Sequence, residues 1–342
     1  MKLDVVAIGS TTRDAFFKTD FKVVKYPNTP TGKAYLVPLG EKLGVKDVYF
    51  TLGGNAANAS VTFAREGYRT AVFTKVGSDV AGEEVRRRLK KEGVETKFIS
   101  SSYLPTAYSV LLLQNGERTI LSYHGAIDEF SLEGTDWEKF RARWWYVSLP
   151  GESYKLLGRL LHAAKKLNVS VALNPSFKHL IKGKRELIKS LKDISFLAVN
   201  EGEAALLTGI SFKKEVAVFK KLDALTPGIV AVTSGAKGVA VSDGRFIYKA
   251  GTFKEKRLVD RTGAGDAFGS GFVAGLLRKN ETCKVKGVCN PFNIEYAIRL
   301  ASANATSVVE RLGATEGVLT RRDFDVTPRF KSLRILKKKV AM

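Results

Sequence analysis

The sequence predicts an α/β protein built on a mainly parallel central sheet, and three observations carry that expectation. Short runs rich in Val, Ile and aromatic residues alternate with segments of helical period, the pattern of successive βαβ units. Most of these runs are apolar throughout rather than at every second residue, so both faces of their strands are buried. With 342 residues and 44% hydrophobic content, the chain can bury one large core.

The strands are expected at 3–8, 70–76, 144–149, 169–173, 196–199, 229–233 and 239–242, and the helices at 57–65, 81–91, 153–167, 203–207, 267–277 and 294–311. Two stretches break the alternation. Residues 14–50 hold Pro27, Pro30 and Pro38 and no helical period. Tyr108 to Tyr123 reads as a hairpin turning at Asn115-Gly116. Together, segments of about 14–50 and 105–125 are expected to form a small β-sheet that serves as a lid over the strand ends, or else two surface insertions. One domain over 1–320 follows, with a basic segment at 321–342.

Lys and Arg total 56 against 34 Asp and Glu, a formal charge of +22. Such a surplus attracts nucleic acid or small anions. The cations are scattered along helices and no nucleic-acid-binding module accompanies them, so small anionic substrates are the expected partners and nucleic acid is not. The one dense block runs from Arg321-Arg322 to Lys337-Lys-Lys339. No apolar run is long enough to cross a bilayer and the first residues read as a strand, so a cytoplasmic protein with no membrane partner is expected. Cys283 and Cys289 allow a local disulfide or two free thiols, and the scattered His124, His162 and His179 provide no zinc spacing.

The chemistry is concentrated in Asp260-Arg-Thr-Gly-Ala-Gly-Asp266, followed by an apolar helix. A glycine-rich turn presents free backbone N–H groups at a helix start, where the macrodipole favours an anion. Asp266 would repel that anion unless it handles a proton, which points to phosphoryl transfer with Asp266 as base; the alternative is a helix-capping aspartate. Gly53-Gly54, with Asn58 four residues on, suits close approach of a polyol, or a turn and a cap. Asp14 follows the first strand and can accept from two hydroxyls. Asn200 and Glu203 offer oxygen to hydrated magnesium, or cap the helix they begin. Ser234, Gly235 and Gly238 form a turn open to a nucleotide, or an ordinary hairpin.

In this order and spacing, these elements resemble the ribokinase-type, or PfkB, carbohydrate kinase family over nearly the whole chain. The resemblance rests on Gly53-Gly54 with Asn58, Gly77-Ser-Asp79 with Gly82, Asn200 with Glu203, Ser234-Gly235 with Gly238, Gly263 to Asp266 and Gly313-Ala314. It implies a three-layer α/β/α ribokinase-like fold with a β lid, and transfer of the γ-phosphoryl of ATP to a sugar hydroxyl. The cofactors implied are ATP, Mg2+ and a monovalent cation.

By motif, Asp266 would be the base, and backbone N–H groups of Gly263, Ala264 and Gly265 the anion hole. Asp14, Gly53, Gly54 and Asn58 would hold the acceptor. Asn200 and Glu203 would organise magnesium and phosphate, with Glu203 meeting the metal through water. Ser234, Gly235, Gly238 and Asn304 would lie near the nucleotide. A nucleoside acceptor is the alternative within the fold, and a non-catalytic basic nucleic-acid-binding protein the alternative outside it. Edge strands of the lid would allow a homodimer. Arg261 stands where the family more often has a small residue, and His124 where arginine is usual. Neither a Walker A sequence nor a protein-kinase catalytic loop occurs.

Overall fold

Every residue of β1 (Val5–Gly9) is buried, as an apolar run without polar alternation requires, and the strand lies inside the main sheet. The computed structural model describes residues 3–29, 31–114, 117–278 and 293–339. The turn expected at Asn115-Gly116 and both cysteines lie outside them.

From β1 the chain crosses to β2 (Thr12–Lys18), forms the paired short strands β3 (Val23–Lys25) and β4 (Lys33–Tyr35), and returns along β5 (Asp47–Gly53). Helix α1 (Asn55–Arg65), β6 (Thr70–Gly77), α2 (Val80–Lys91) and β7 (Ile99–Ser102) follow. Next come the antiparallel β8 (Tyr108–Gln114) and β9 (Glu117–Tyr123), then β10 (Trp144–Ser148) and α3 (Leu157–Leu167). Strand β11 (Ser170–Leu173), α4 (Phe177–Lys182), α5 (Lys184–Ser190), β12 (Phe196–Asn200), α6 (Glu201–Thr208) and α7 (Glu215–Leu225) lead to β13 (Ile229–Thr233), β14 (Val239–Ser242) and β15 (Phe246–Ala250). The chain closes with α8 (Ala264–Leu277), α9 (Ile294–Val309), α10 (Arg321–Val326) and β16 (Ile335–Lys339).

Ten strands form the main sheet in the order β16-β15-β14-β13-β12-β11-β10-β1-β6-β7. Pairing is parallel from β7 to β13 and antiparallel from β13 to β16. Successive residues feed opposite faces, as the period of two demands: Trp144 and Tyr146 join the core with α1, α8 and α9, while Trp145 and Val147 join the core with α3, α5, α6 and α7. The result is a three-layer α/β/α body.

The small sheet has the order β5-β2-β8-β9. Two residues separate it from β1, so Asp14, beyond the end of the first strand, sits within a strand of this sheet. Val48, Phe50, Val110, Leu121 and Tyr123 share one of its faces by register. Val48, Phe50, Leu121 and Tyr123 are exposed there.

Three strands escape the sequence reading. β7 is Ile-Ser-Ser-Ser, with a single apolar residue, and β15 follows β14 after a three-residue turn. β16 is Ile-Leu-Lys-Lys-Lys, an edge strand that charge alone marks as a tail. It pairs with β15, and Phe324, Phe330 and Leu333 enter the core, which joins 321–339 to the main body. Residues 153–156, expected as the start of a helix over 153–167, belong to the 3-10 segment Gly151–Leu156 that leads into α3.

Helices α8 and α9 cross at close range because α8 presents glycine there. A Cβ on Gly275 would lie 2.6 Å from Ala297 Cα, and one on Gly271 3.1 Å from Ala301 Cα. Gly275→Val is expected to destabilise the protein by about 1–3 kcal/mol or more through overpacking against backbone. Chemical denaturation with an unchanged midpoint would refute this account of the contact.

Candidate active site

The loop before α8 is pinned by Asp260, whose carboxylate accepts from the Thr262 N–H at 2.9 Å, the Thr262 hydroxyl at 2.7 Å and the Gly313 N–H at 3.3 Å. Gly263 then caps the helix with φ of 76°, a conformation costly for any side chain, and a Cβ there would lie 2.4 Å from Ala314 Cβ. Among the described residues no side chain caps this terminus. The Ala264 N–H leans back to the Arg261 carbonyl at 3.4 Å, whereas a Cβ on Gly265 would meet nothing within 4 Å. An open, positively polarised helix end therefore faces a cavity, which fits a phosphate.

Asp266 stands in the first turn of α8, and its Oδ2 accepts from Asn58 Nδ2 at 2.9 Å. Burial pushes its carboxyl up to about 6, with the Glu203 charge adding to the rise and the Asn58 hydrogen bond opposing it. At neutral pH Asp266 is thus mostly ionised yet unusually ready to take a proton. The Oδ1 of Asn58 is buried without a hydrogen-bond partner among the described residues, an acceptor left for something not of this chain.

Asp14 reaches the same neighbourhood from β2. It is 6% exposed and accepts from the Thr12 hydroxyl at 2.7 Å. Burial raises its carboxyl, against the Thr12 and Ser109 hydroxyls that lower it. Its Oδ2 lies 2.0 Å from where a Cβ on Gly53 would stand, and a Cβ on Gly54 would strike the Ser10 carbonyl at 2.6 Å. The Gly53-Gly54 turn thus receives Asp14 on one side, and the helix it opens delivers Asn58 to Asp266 on the other.

Asn200 and Glu203 form a complete capping box: Asn200 Oδ1 accepts from the Glu203 N–H at 2.9 Å and Glu203 Oε2 from the Asn200 N–H at 2.8 Å. They also line a cavity of about 180 Å3 with Asn174, Gly263, Gly265 and Asp266. The two readings of this motif are therefore compatible. No group of three or more His, Cys, Asp or Glu suited to a metal exists among the described residues. Sparse oxygen donors around a void of several waters suit a hydrated magnesium ion, which keeps most of its shell. For a monovalent cation the fit is poor at Asp260, whose charge already meets three donors and Arg118 at 3.8 Å.

A second cavity, of about 490 Å3, runs from Gly265 between α8, α9 and the turn after β13. Gly235 and Gly238 line it with Phe253, Phe268, Thr306 and Val309, an apolar slot of a size for a nucleobase. Ser234 lines the neighbouring cavity instead. Asn304 does not line the slot. It donates to the Ala267 carbonyl at 2.9 Å and the Thr62 hydroxyl at 3.3 Å and accepts from the Leu319 N–H at 2.9 Å, so its amide ties α1, α8 and the segment after α9 together. Its neighbours Ser302, Ala305 and Thr306 line the slot.

Two residues of the site have no signal in the sequence. Asn174 directly follows β11, and Tyr146 reads as core. The Tyr146 hydroxyl is buried without a partner among the described residues, 2.5 Å from where a Cβ on Gly269 would stand. Burial and the Asp266 charge hold it well above the ordinary range, so it remains a neutral O–H.

Comparison with known proteins shows the family and the fold. The family model described as "pfkB family carbohydrate kinase" matches residues 2–321. A ribokinase of Haemophilus influenzae is 29% identical over 300 residues, covering 84% of this chain and 91% of that protein. A cytidine kinase of Thermococcus kodakarensis is 28% identical over 268 residues, covering 76% of this chain and 88% of that one. Among solved structures, ribokinase of Arabidopsis thaliana complexed with ribose and ATP superposes with a TM-score of 0.76 at 24% identity, covering 97% of this chain and all of that one.

Because the folded carboxyl of Asp266 lies at about 6, above its unfolded value, the folded state binds the extra proton between roughly pH 4 and 6 and loses stability as pH rises through that window. Asp266→Asn is therefore expected to raise Tm at pH 7 and to lose this advantage near pH 4. An equal or lower Tm at pH 7 would contradict the burial account.

Proposed function

Since the chain belongs to the pfkB family of carbohydrate kinases, we propose that it transfers the γ-phosphoryl group of ATP to a hydroxyl of a sugar, with Asp266 as general base. The observation that carries this reading is the Asp266 carboxylate, raised to about 6 and held by Asn58, in the first turn of a helix whose N-terminus is open to a cavity. Among the described residues no helix is long and apolar enough to cross a membrane.

In the proposed reaction Asp14, the Gly53-Gly54 backbone and the unspent Oδ1 of Asn58 hold the acceptor hydroxyls. Asp266 takes the proton of the attacking hydroxyl as its oxygen bonds to the γ-phosphorus and the bond to the ADP oxygen breaks. Free N–H groups of the segment Gly263 to Gly265, with the macrodipole of α8, meet the charge on the transferred group. The slot at Gly235, Gly238, Phe253 and Phe268 takes the nucleotide base. A hydrated magnesium ion near Glu203 and Asn200 would neutralise phosphate charge. The small sheet is read as the lid of the acceptor site.

A nucleoside acceptor is the second reading, favoured by the near-equal identity to a ribokinase and to a cytidine kinase. Both acceptors present a diol to Asp14. The shared exposed face of Val48, Phe50, Leu121 and Tyr123 supports a homodimer through the lid; a monomeric mass by light scattering would end that reading.

The test is ADP release from Mg-ATP across free sugars, sugar phosphates and nucleosides, with Asp266→Asn and Asp14→Ala beside the wild type. Acceptor-dependent turnover is expected to fall by about 10²–10⁴-fold in Asp266→Asn. In the wild type kcat should fall below about pH 6, as Asp266 takes up its proton. Asp14→Ala should raise the acceptor KM far more than that of ATP. Retained turnover in Asp266→Asn would remove the base assignment.

A further inference from the structure

Tyr146 brings a hydroxyl to a place where apolar packing has no need of one. It stands in the middle of β10, with Ala7 of β1 and Ala172 of β11 as its partners in the sheet. Its ring meets Phe63 of α1 edge-on, 5.9 Å between centroids, and the side chain is wholly buried. Phenylalanine would fill the same space, yet the residue carries a hydroxyl that is buried without a hydrogen-bond partner among the described residues. An unsatisfied buried hydroxyl costs stability, and a buried Tyr O–H ordinarily finds an acceptor.

Helix α8 decides where that oxygen lies. A Cβ on Gly269 would stand 2.5 Å from Tyr146 Oη and 3.5 Å from Cζ, so the bare backbone at 269 is what admits the oxygen beneath the helix. Asp266 precedes Gly269 by three residues, which puts both on one face of α8, about 4.5 Å apart along its axis. Ala198 of β12 lies beside the same spot, its Cβ 3.6 Å from the Gly269 Cβ position, and it lines the cavity that Asp266 lines. The charge of Asp266 is felt at Tyr146, where it adds to the burial that keeps the hydroxyl neutral and able to donate.

Other charges around this pair are few among the described residues. Strands β1, β10, β11 and β12 carry none. Arg65 ends α1 and pairs with Glu92, while Glu295 and Arg299 pair with each other in the first two turns of α9, the end that crosses α8 near Gly275 rather than near Asp266. Glu203 of α6 acts on Asp266, and its negative charge works against the ionised carboxylate.

We infer that Tyr146 is a positioning residue for Asp266, its O–H dipole directed along α8 at the carboxylate and stabilising the ionised form that can act as base. This role rests on the reading of Asp266 as the general base. Asn58 holds one carboxylate oxygen from α1, and Tyr146 supports the group from the sheet beneath. Between them they oppose the burial and the Glu203 charge, both of which favour the protonated acid.

The test is Tyr146→Phe, in which the ring stays and the oxygen goes. Two quantities are followed: the titration of the Asp266 carboxyl by carboxyl-carbon NMR, identified as the signal that Asp266→Asn removes, and the pH profile of kcat with Mg-ATP and the preferred acceptor. Both are expected to move upward by about one pH unit, because the carboxylate loses a donor dipole. Turnover should then fall by about fivefold at pH 6, the loss shrinking as pH rises, while the KM values of ATP and acceptor stay within about twofold. A carboxyl and an acid limb that stay in place, with Tm raised by removal of an unsatisfied hydroxyl, would make Tyr146 a packing residue and overturn the inference. An equal loss of turnover at every pH overturns it as well.

Gly269→Ala is the independent check, since its methyl displaces the hydroxyl while the tyrosine remains. It is expected to move the Asp266 carboxyl in the same direction as Tyr146→Phe and to add nothing in the double variant, where the methyl meets the ring at 3.5 Å, an ordinary contact. A further rise in the double variant overturns the inference. A carboxyl that moves in Tyr146→Phe, without acceptor turnover by the wild type, keeps the link between Tyr146 and Asp266 and rejects the kinase.

Discussion

A carboxylate placed against an anion site is the constraint around which this molecule is organised. Asp266 sits in the first turn of α8, where the open N-terminus favours negative charge by about 0.3–1 kcal/mol in ordinary cases. Burial works against it, and burial wins, since the carboxyl is displaced upward to about 6 despite the hydrogen bond from Asn58. The protein thus keeps a carboxylate in a state that costs stability and leaves it eager for a proton.

Holding such a group in place falls to the helices beneath it. Gly271 and Gly275 let α8 lie against α9 at backbone contact. Asn304 then bonds α8 at Ala267 and α1 at Thr62 from one buried amide. Because α1 also carries Asn58, the base and the side chain that orients it are fixed to each other through a polar tie within the apolar core. A buried amide with both ends satisfied is rigid as well as stable, which suits a reacting pair whose geometry must not drift.

The small sheet supplies the other half of the site from a different layer. Its β2 strand follows β1 after two residues, so the acceptor-side carboxylate Asp14 is tied covalently to the central sheet, while Thr51 across from it meets the loop at Gly313 and Arg118, farther along the sheet, meets Asp260. The Arg118 and Asp260 pair bridges the outer strand of the small sheet to the loop that sets up Gly263. A movement of the small sheet would therefore be felt at the anion site.

Much of this was written in local sequence. The βαβ alternation, the fully apolar strands, the glycine turn before Asp266 and the Gly53-Gly54 turn depend on neighbours in the chain, and local propensity with period is enough to place them. The strand β16 was not legible, because Ile-Leu-Lys-Lys-Lys becomes a strand only through pairing with β15, and edge pairing leaves no period in a charged run. Asn304 shows the opposite case: the family resemblance placed it near the nucleotide, and only the fold reveals that its amide bonds Thr62, Ala267 and Leu319. The sequence by itself determined the elements, their order and the chemical types available at the site. The tertiary structure alone decided the value of the Asp266 carboxyl, the buried and unpartnered Tyr146 hydroxyl and the gathering of Arg257, Arg261 and Arg311 on one cavity, since desolvation and charge proximity are properties of residues brought together from distant parts of the chain.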